Sequence, residues 1–182
     1  MPFAKSAQPR GGKQALRKAL RRRIHSRHPL RAFRKDVRAA AALPLHVLRS
    51  AAAGAPLSRA ARSGWWYPML ASGKPAIAFM RGKDRPRFAG MTSGKLAENL
   101  FRAAKRAERD LSGAGQTYAP RLIEIPSLRI IALWLYAPRG HSRYVLLAHG
   151  RARARPDFVI LDSLEQAREA ARKAAPRKRR RA

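Results

Sequence analysis

Side chains with potential for chemistry are few and scattered. Histidines stand at His25, His28, His46, His141 and His149. His25 and His28 lie among arginines, whose charge would repel a metal ion. A hairpin would bring His141 and His149 toward Asp157 or Asp162, residue types suited to a metal or general-base site. The spacing gives no support, because the chain holds no HxH, HExxH or DxD pattern. Glu124 is a lone carboxylate in an apolar run and is expected to face outward from a half-exposed edge strand. Ser93-Gly94-Lys95 imitates the end of a phosphate-binding loop but lacks the upstream glycine spacing that a P-loop requires. A helix N-terminus there would hold an anion only weakly. Zero cysteines exclude disulfides, thiol nucleophiles and thiolate metal sites. No catalytic residue, cofactor or metal is assigned, and the chain reads as non-enzymatic.

Cations, by contrast, are abundant: 41 Lys and Arg against 10 Asp and Glu, a formal net charge of +31. Sixteen of them lie in residues 1–62, with Asp36 the one acid, and eight lie in residues 166–182, against Glu169 alone. Like-charged blocks repel themselves and act as flexible interaction arms. A Lys or Arg placed on a phosphate releases condensed counterions, so affinity is gained entropically and lost with added salt. The expected partner is nucleic acid, RNA or DNA, with an anionic membrane surface second. Phosphate contacts position without specifying, so recognition is expected to be largely independent of sequence. GC-rich codon usage would explain Arg over Lys, but not the fourfold excess of bases over acids.

Four sets of cations are candidates for this contact. Lys13, Arg17, Lys18, Arg21, Arg22 and Arg23 surround an apolar stripe, Leu16, Leu20 and Ile24, whose i, i+4, i+8 spacing predicts an amphipathic helix near 13–24. Such a helix is marginal alone; it either tracks a groove or membrane surface, or packs on the domain. Arg102, Lys105, Arg106 and Arg109 form a row on a second helix. Arg151, Arg153 and Arg155 alternate with alanine near the last turn, and Arg177, Lys178 and Arg179 lie in the tail. Trp65, Trp66 and Tyr67 either stack on unpaired bases or form the first core strand. No RRM, KH or zinc-finger signature is present.

The elements that must position these residues follow from periodicity. Residues 1–62 read as a basic Ala/Arg-rich arm, with 25–62 a linker marked by Pro29, Pro44, Gly54 and Pro56. Residues 63–165 read as the globular domain, and 166–182 as a helix end and basic tail. Strands are predicted at Trp65–Leu70 and Pro75–Arg81 around a Ser-Gly turn, with a short third at Arg87–Ala89. A helix over 93–111 places Leu96, Leu100, Ala103, Ala107 and Leu111 opposite its cations, with Thr92 or Ser93 as N-cap. Strands follow at Arg121–Ile125, Leu128–Tyr136, Arg143–His149 and Phe158–Leu161. The second of these, apolar on both faces, is expected at the sheet's centre. Ser163 with Gln166 starts a terminal helix running to about residue 175.

The predicted class is α+β: a curved antiparallel sheet of about five or six strands packed by one central helix, with flexible basic arms at both ends. This arrangement resembles cystatin-like and other helix-on-sheet folds. The stretch from Tyr67-Pro68 through Gly73-Lys74-Pro75 and Phe88-Ala89-Gly90 to Ala132-Leu133-Trp134-Leu135 is similar to small uncharacterised bacterial domains, a similarity that implies no activity. Two alternatives stay open: a protein- or ligand-binding domain using a concavity lined by Trp134 or Tyr136, its arms merely solubilising or targeting, or a secreted effector. The location expected is cytoplasmic or nucleoid-associated. Residues 39–55 loosely imitate a signal-peptide core, and the Arg-rich start an organellar transit peptide, so secretion and import stand as alternatives.

Overall fold

The computed structural model describes residues 8–24, 33, 38–49, 59–71, 73–113 and 115–149, together with Glu165, Gln166 and Glu169, which are helical. Strand periodicity and two tight turns build most of the sheet. In β3 (Ala61–Ala71) and β4 (Lys74–Arg81), successive side chains enter cores on opposite faces, so both strands are apolar along most of their length. Their hairpin turns at Gly73, whose φ of 72° is left-handed backbone that a residue with a Cβ seldom adopts. With β5 (Arg87–Ser93) they form one antiparallel meander. β6 (Ala119–Ile125), β7 (Ile130–Tyr136) and β8 (Arg143–His149) form another, with a 3-10 turn at Pro126–Leu128 joining the first two.

Between the meanders runs β2 (Leu43–Val47), antiparallel to β3 and parallel to β6. The order is β5-β4-β3-β2-β6-β7-β8, and the short β1 (Arg38–Ala39) pairs with β3 opposite Met69 and Leu70. Among the described residues the protein is therefore α+β, a mostly antiparallel open sheet of 8 strands with two helices. The class matches the expectation; the strand count and the single helix do not. The middle strand also lies inside the stretch that its prolines mark as a linker. Its five residues include Pro44 and His46, so no apolar alternation announces it. Pairing on both sides, a tertiary effect, puts it there. β7, expected at the centre, lies one strand in from the β8 edge. Its faces are both buried nonetheless, Leu133 and Leu135 on one side and Trp134 on the other.

Helix α2 (Lys95–Asp110) connects the meanders and covers one face of the sheet. It buries Leu100, Ala103 and Ala107, with Leu111 just beyond its end, as the sequence predicts; Leu96 is half-buried and Ala97 is buried beside it. Gly94, rather than Thr92 or Ser93, stands at the N-cap, and no side chain caps it. Asn99 is the buried polar residue of this face, and its Nδ2 donates to the Leu147 carbonyl at 2.9 Å, tying the helix to β8.

On the opposite face, α1 (Gly12–Arg23) presses Leu16 and Leu20, with Ile24 following, into a core shared with Trp65, Tyr67, Met69 and Met80. Gly12 lies against the Tyr67 hydroxyl, where a Cβ would collide. Each aliphatic side chain buried here contributes about 1.5–3 kcal/mol, which holds a helix too short to persist alone. Leu20→Ala is therefore expected to lower stability by about 2–4 kcal/mol, read from the urea midpoint; a helix standing free in solvent would show no change.

Candidate nucleic-acid interface

Because its apolar stripe is buried, α1 must turn its remaining positions outward. Lys13, Arg17, Lys18, Arg21 and Arg22 are all exposed, and no acid interrupts the helix. None of these five forms an ion pair among the described residues. Arg23 ends the helix; its side chain lies outside the described set.

The α2 row has a different electrostatic character. Arg102, Lys105, Arg106 and Arg109 are exposed and, with Glu108, line a surface depression of about 500 Å³. Acids thread this row. Arg102 lies 3.8 Å from Glu98, and both Arg106 and Arg109 bind Asp110, the latter at 2.9 Å. Hydrogen bonds from Arg106 and then Arg109 hold the Asp110 carboxyl below the usual carboxylate range. Exposed pairs are weak and screened by salt, yet they reduce the field that the helix offers a polyanion. Lys105 alone of the four has no acidic partner among the described residues.

Arg151, Arg153, Arg155, Arg177, Lys178 and Arg179 lie outside the described residues, as do the strand expected at 158–161 and most of the terminal helix. His141 is exposed in the β7–β8 turn and His149 closes β8, while Asp157 and Asp162 also fall outside. Trp65, Trp66 and Tyr67 are 2%, 5% and 0% exposed, so they are core residues and offer no stacking platform. Glu124 is half-buried on an interior strand, between β2 and β7, not on an edge.

One constellation has no counterpart in the sequence reading. On the sheet face opposite α2, beyond the area that α1 covers, side chains from five strands fall into a row. Register sets His46 of β2 opposite Arg62 of β3, Arg121 of β6 opposite Trp134 of β7, and Trp134 opposite Tyr144 of β8. The Arg121 guanidinium carbon lies 3.7 Å from the Tyr136 ring centre and 5.3 Å from that of Trp134, a cation–π arrangement. His46 meets Trp134 edge-on at 5.4 Å, and Trp134 stacks on Tyr144 at 6.4 Å. The members come from five separate strands, so only the cross-strand register assembles the group.

Charge in this row is one-sided. Burial, followed by the nearby charge of Arg121 and then Arg62, pushes the His46 pKa down to about 4, with the backbone at Pro44 and Leu122 opposing. Burial likewise pushes the Tyr144 hydroxyl up to about 12 and lowers Arg121. Among the described residues Trp134 Nε1 is buried without a hydrogen-bond partner, and His46 Nδ1 is buried with only the backbone hydrogen-bonding groups at Pro44 and Leu122 near its ring. Because the folded His46 refuses a proton that the unfolded chain accepts below its ordinary value of 6.5, stability falls as pH drops from 6.5 toward 4. Unfolding of the wild type is expected to lose on the order of 2 kcal/mol more than His46→Gln between neutral pH and the lower end of that window, measured by urea denaturation at each pH.

The α2 face carries a hollow of about 540 Å³ beside Leu96, where the helix begins. Leu45, Trp66, Phe79 and Ile131 line it, with Arg81 and Glu124 among the polar residues around it. Trp134 and Tyr136, expected to line such a cavity, belong to the opposite face.

Fold and surface together define an α+β protein whose open sheet carries one cation-faced helix on each side. The chain has no match among models of known protein families, curated proteins or solved structures. No helix among the described residues is long and apolar enough to cross a membrane.

Proposed function

We propose that this protein binds nucleic acid, DNA or RNA, with little regard to sequence, gripping the phosphate backbone chiefly through α1 and the basic segments around it. The observation that carries the reading is α1 itself: five exposed cations, none ion-paired among the described residues, on a helix whose other side is anchored in the core. An anchored cationic face gives up less conformational entropy on binding than a free arm would. The net charge of +31 adds long-range attraction and fast encounter. Arg102, Lys105, Arg106 and Arg109 form a weaker second surface because Glu98 and Asp110 offset them. Nothing in this reading calls for catalysis, and such a partner suits a cytoplasmic or nucleoid-associated location.

Fluorescence anisotropy tests it with two unrelated labelled duplexes and a labelled single strand at low salt, about 50 mM. All three are expected to bind within about tenfold of one another. Failure to bind any of them would overturn the reading, and exclusive binding to vesicles of anionic lipid would replace nucleic acid with a membrane surface.

The hollow on the α2 face favours one other reading, a site for a small apolar ligand. Its volume falls in the range of ligand pockets. Saturable binding of an uncharged apolar dye, abolished by Phe79→Arg, would support it.

A further inference from the structure

We propose that Arg121, His46 and the indole of Trp134 form a binding pocket for a phosphate-type oxyanion, separate from the cationic face of α1. Hydrogen-bonding capacity points to the ligand's chemistry. A guanidinium and an indole N–H can only donate, so what completes them must accept. Among the described residues the indole Nε1 of Trp134, a residue 6% exposed, has no acceptor; the buried His46 Nδ1 makes no hydrogen bond of good geometry, the backbone at Pro44 and Leu122 being the nearest hydrogen-bonding groups of its ring. Native interiors rarely leave such groups unsatisfied.

The charge of the pocket selects an anion. Arg121 is half-buried, lies over the Tyr136 ring, and has no carboxylate partner among the described residues. A desolvated guanidinium is ordinarily paired. Arg62, at the β3 end of the row, spends its charge on the exposed Asp84 at 3.2 Å. The groups facing His46 from the strands around it are Arg62, Arg121 and Trp134, and none of these is acidic. An arriving oxyanion would supply the missing negative charge, accept from Arg121 and Trp134, and favour uptake of a solvent proton by His46. His46 would then add a third, charge-assisted donor.

The same chemistry is offered by free phosphate, a mononucleotide or a nucleic-acid phosphodiester. NMR of the full chain distinguishes them, following the Trp134 indole N–H and the His46 ring while inorganic phosphate, a mononucleotide and a dinucleotide phosphodiester are added, with chloride at matched ionic strength as control. Phosphate is expected to shift the Trp134 indole saturably and raise the His46 pKa by about one unit. The Trp65 indole should stay in place, since its Nε1 already donates to the Lys83 carbonyl at 2.8 Å. Arg121→Gln is expected to weaken the response about tenfold, with Arg121→Lys partly restoring it, whereas neutralising α1 leaves it unchanged. Equal binding of the diester assigns the pocket to a nucleic-acid backbone; response to the monoester and inorganic phosphate alone assigns it to a small ligand. A Trp134 indole and His46 ring that no phosphate moves more than chloride, or an Arg121→Gln variant that titrates like wild type, overturns the proposal.

Discussion

Replacing Lys13, Arg17, Lys18, Arg21 and Arg22 together by glutamine is expected to weaken nucleic-acid binding by about 10²–10³-fold near 0.1 M salt while leaving the fold intact. The loss is large because no acid of the described residues offsets these cations. They are exposed, no acid lies in their helix, and none is paired among the described residues. Each one that meets a phosphate releases counterions, and five removed together remove that gain nearly additively. Glutamine keeps the helix propensity, and the buried stripe of Leu16, Leu20 and Ile24 is untouched. Thermal unfolding should therefore be unchanged while anisotropy shows the loss. The same exchange at Arg102, Lys105, Arg106 and Arg109 is expected to cost only about three- to tenfold, because Glu98 and Asp110 already offset that row.

Removing residues 1–60 is expected to abolish cooperative folding, although composition marks them as an arm and linker. Without β2 the sheet divides between β3 and β6, each of which pairs with it along one edge. Two three-stranded meanders would remain, joined through α2, with fresh unpaired edges at both sides of the gap. Loss of α1 would also uncover Trp65, Tyr67, Met69 and Met80. Together these losses exceed the roughly 5–15 kcal/mol that stabilises a domain of this size. Circular dichroism should show a broad, non-cooperative melt for the chain starting at Ala61. Removing residues 1–37 spares β1 and β2 and is expected to leave a weakened but cooperative transition. A sharp melt at the wild-type temperature in the shorter chain would contradict the topology.

What the sequence reveals and conceals follows the range of the forces involved. The helix expected over 93–111 runs from Lys95 to Asp110, because Leu100, Ala103 and Ala107 carry a strong local period. The β3–β4 hairpin is equally legible, since Gly73 marks its turn and aromatic residues mark its strands. β2 is not, because a five-residue strand holding a proline and a histidine becomes a strand only where two partners flank it. The side chains of α1 disclosed both a buried stripe and a cationic face, but not that the stripe would find Trp65 and Tyr67. Lys13, Arg17, Lys18, Arg21 and Arg22 were thus legible as surface cations. The weakening of the α2 row is largely a matter of spacing: Glu98 stands one turn before Arg102 and Asp110 one turn after Arg106, whereas the second pairing of Asp110, with the adjacent Arg109, follows from no helical period. His46, Arg121 and Trp134 are 75 and 13 residues apart in sequence, too distant for any local pattern to join them.

The claim that α1 holds phosphates is tested most directly by the slope of log affinity against log salt, measured for the full chain and for the variant with the five α1 cations changed to glutamine. Each phosphate neutralised on duplex DNA contributes about −0.9 to that slope. The full chain is expected to give a slope of about −5 or steeper, and the variant one shallower by about 4. Affinity indifferent to salt, or the same slope in both proteins, would contradict the account.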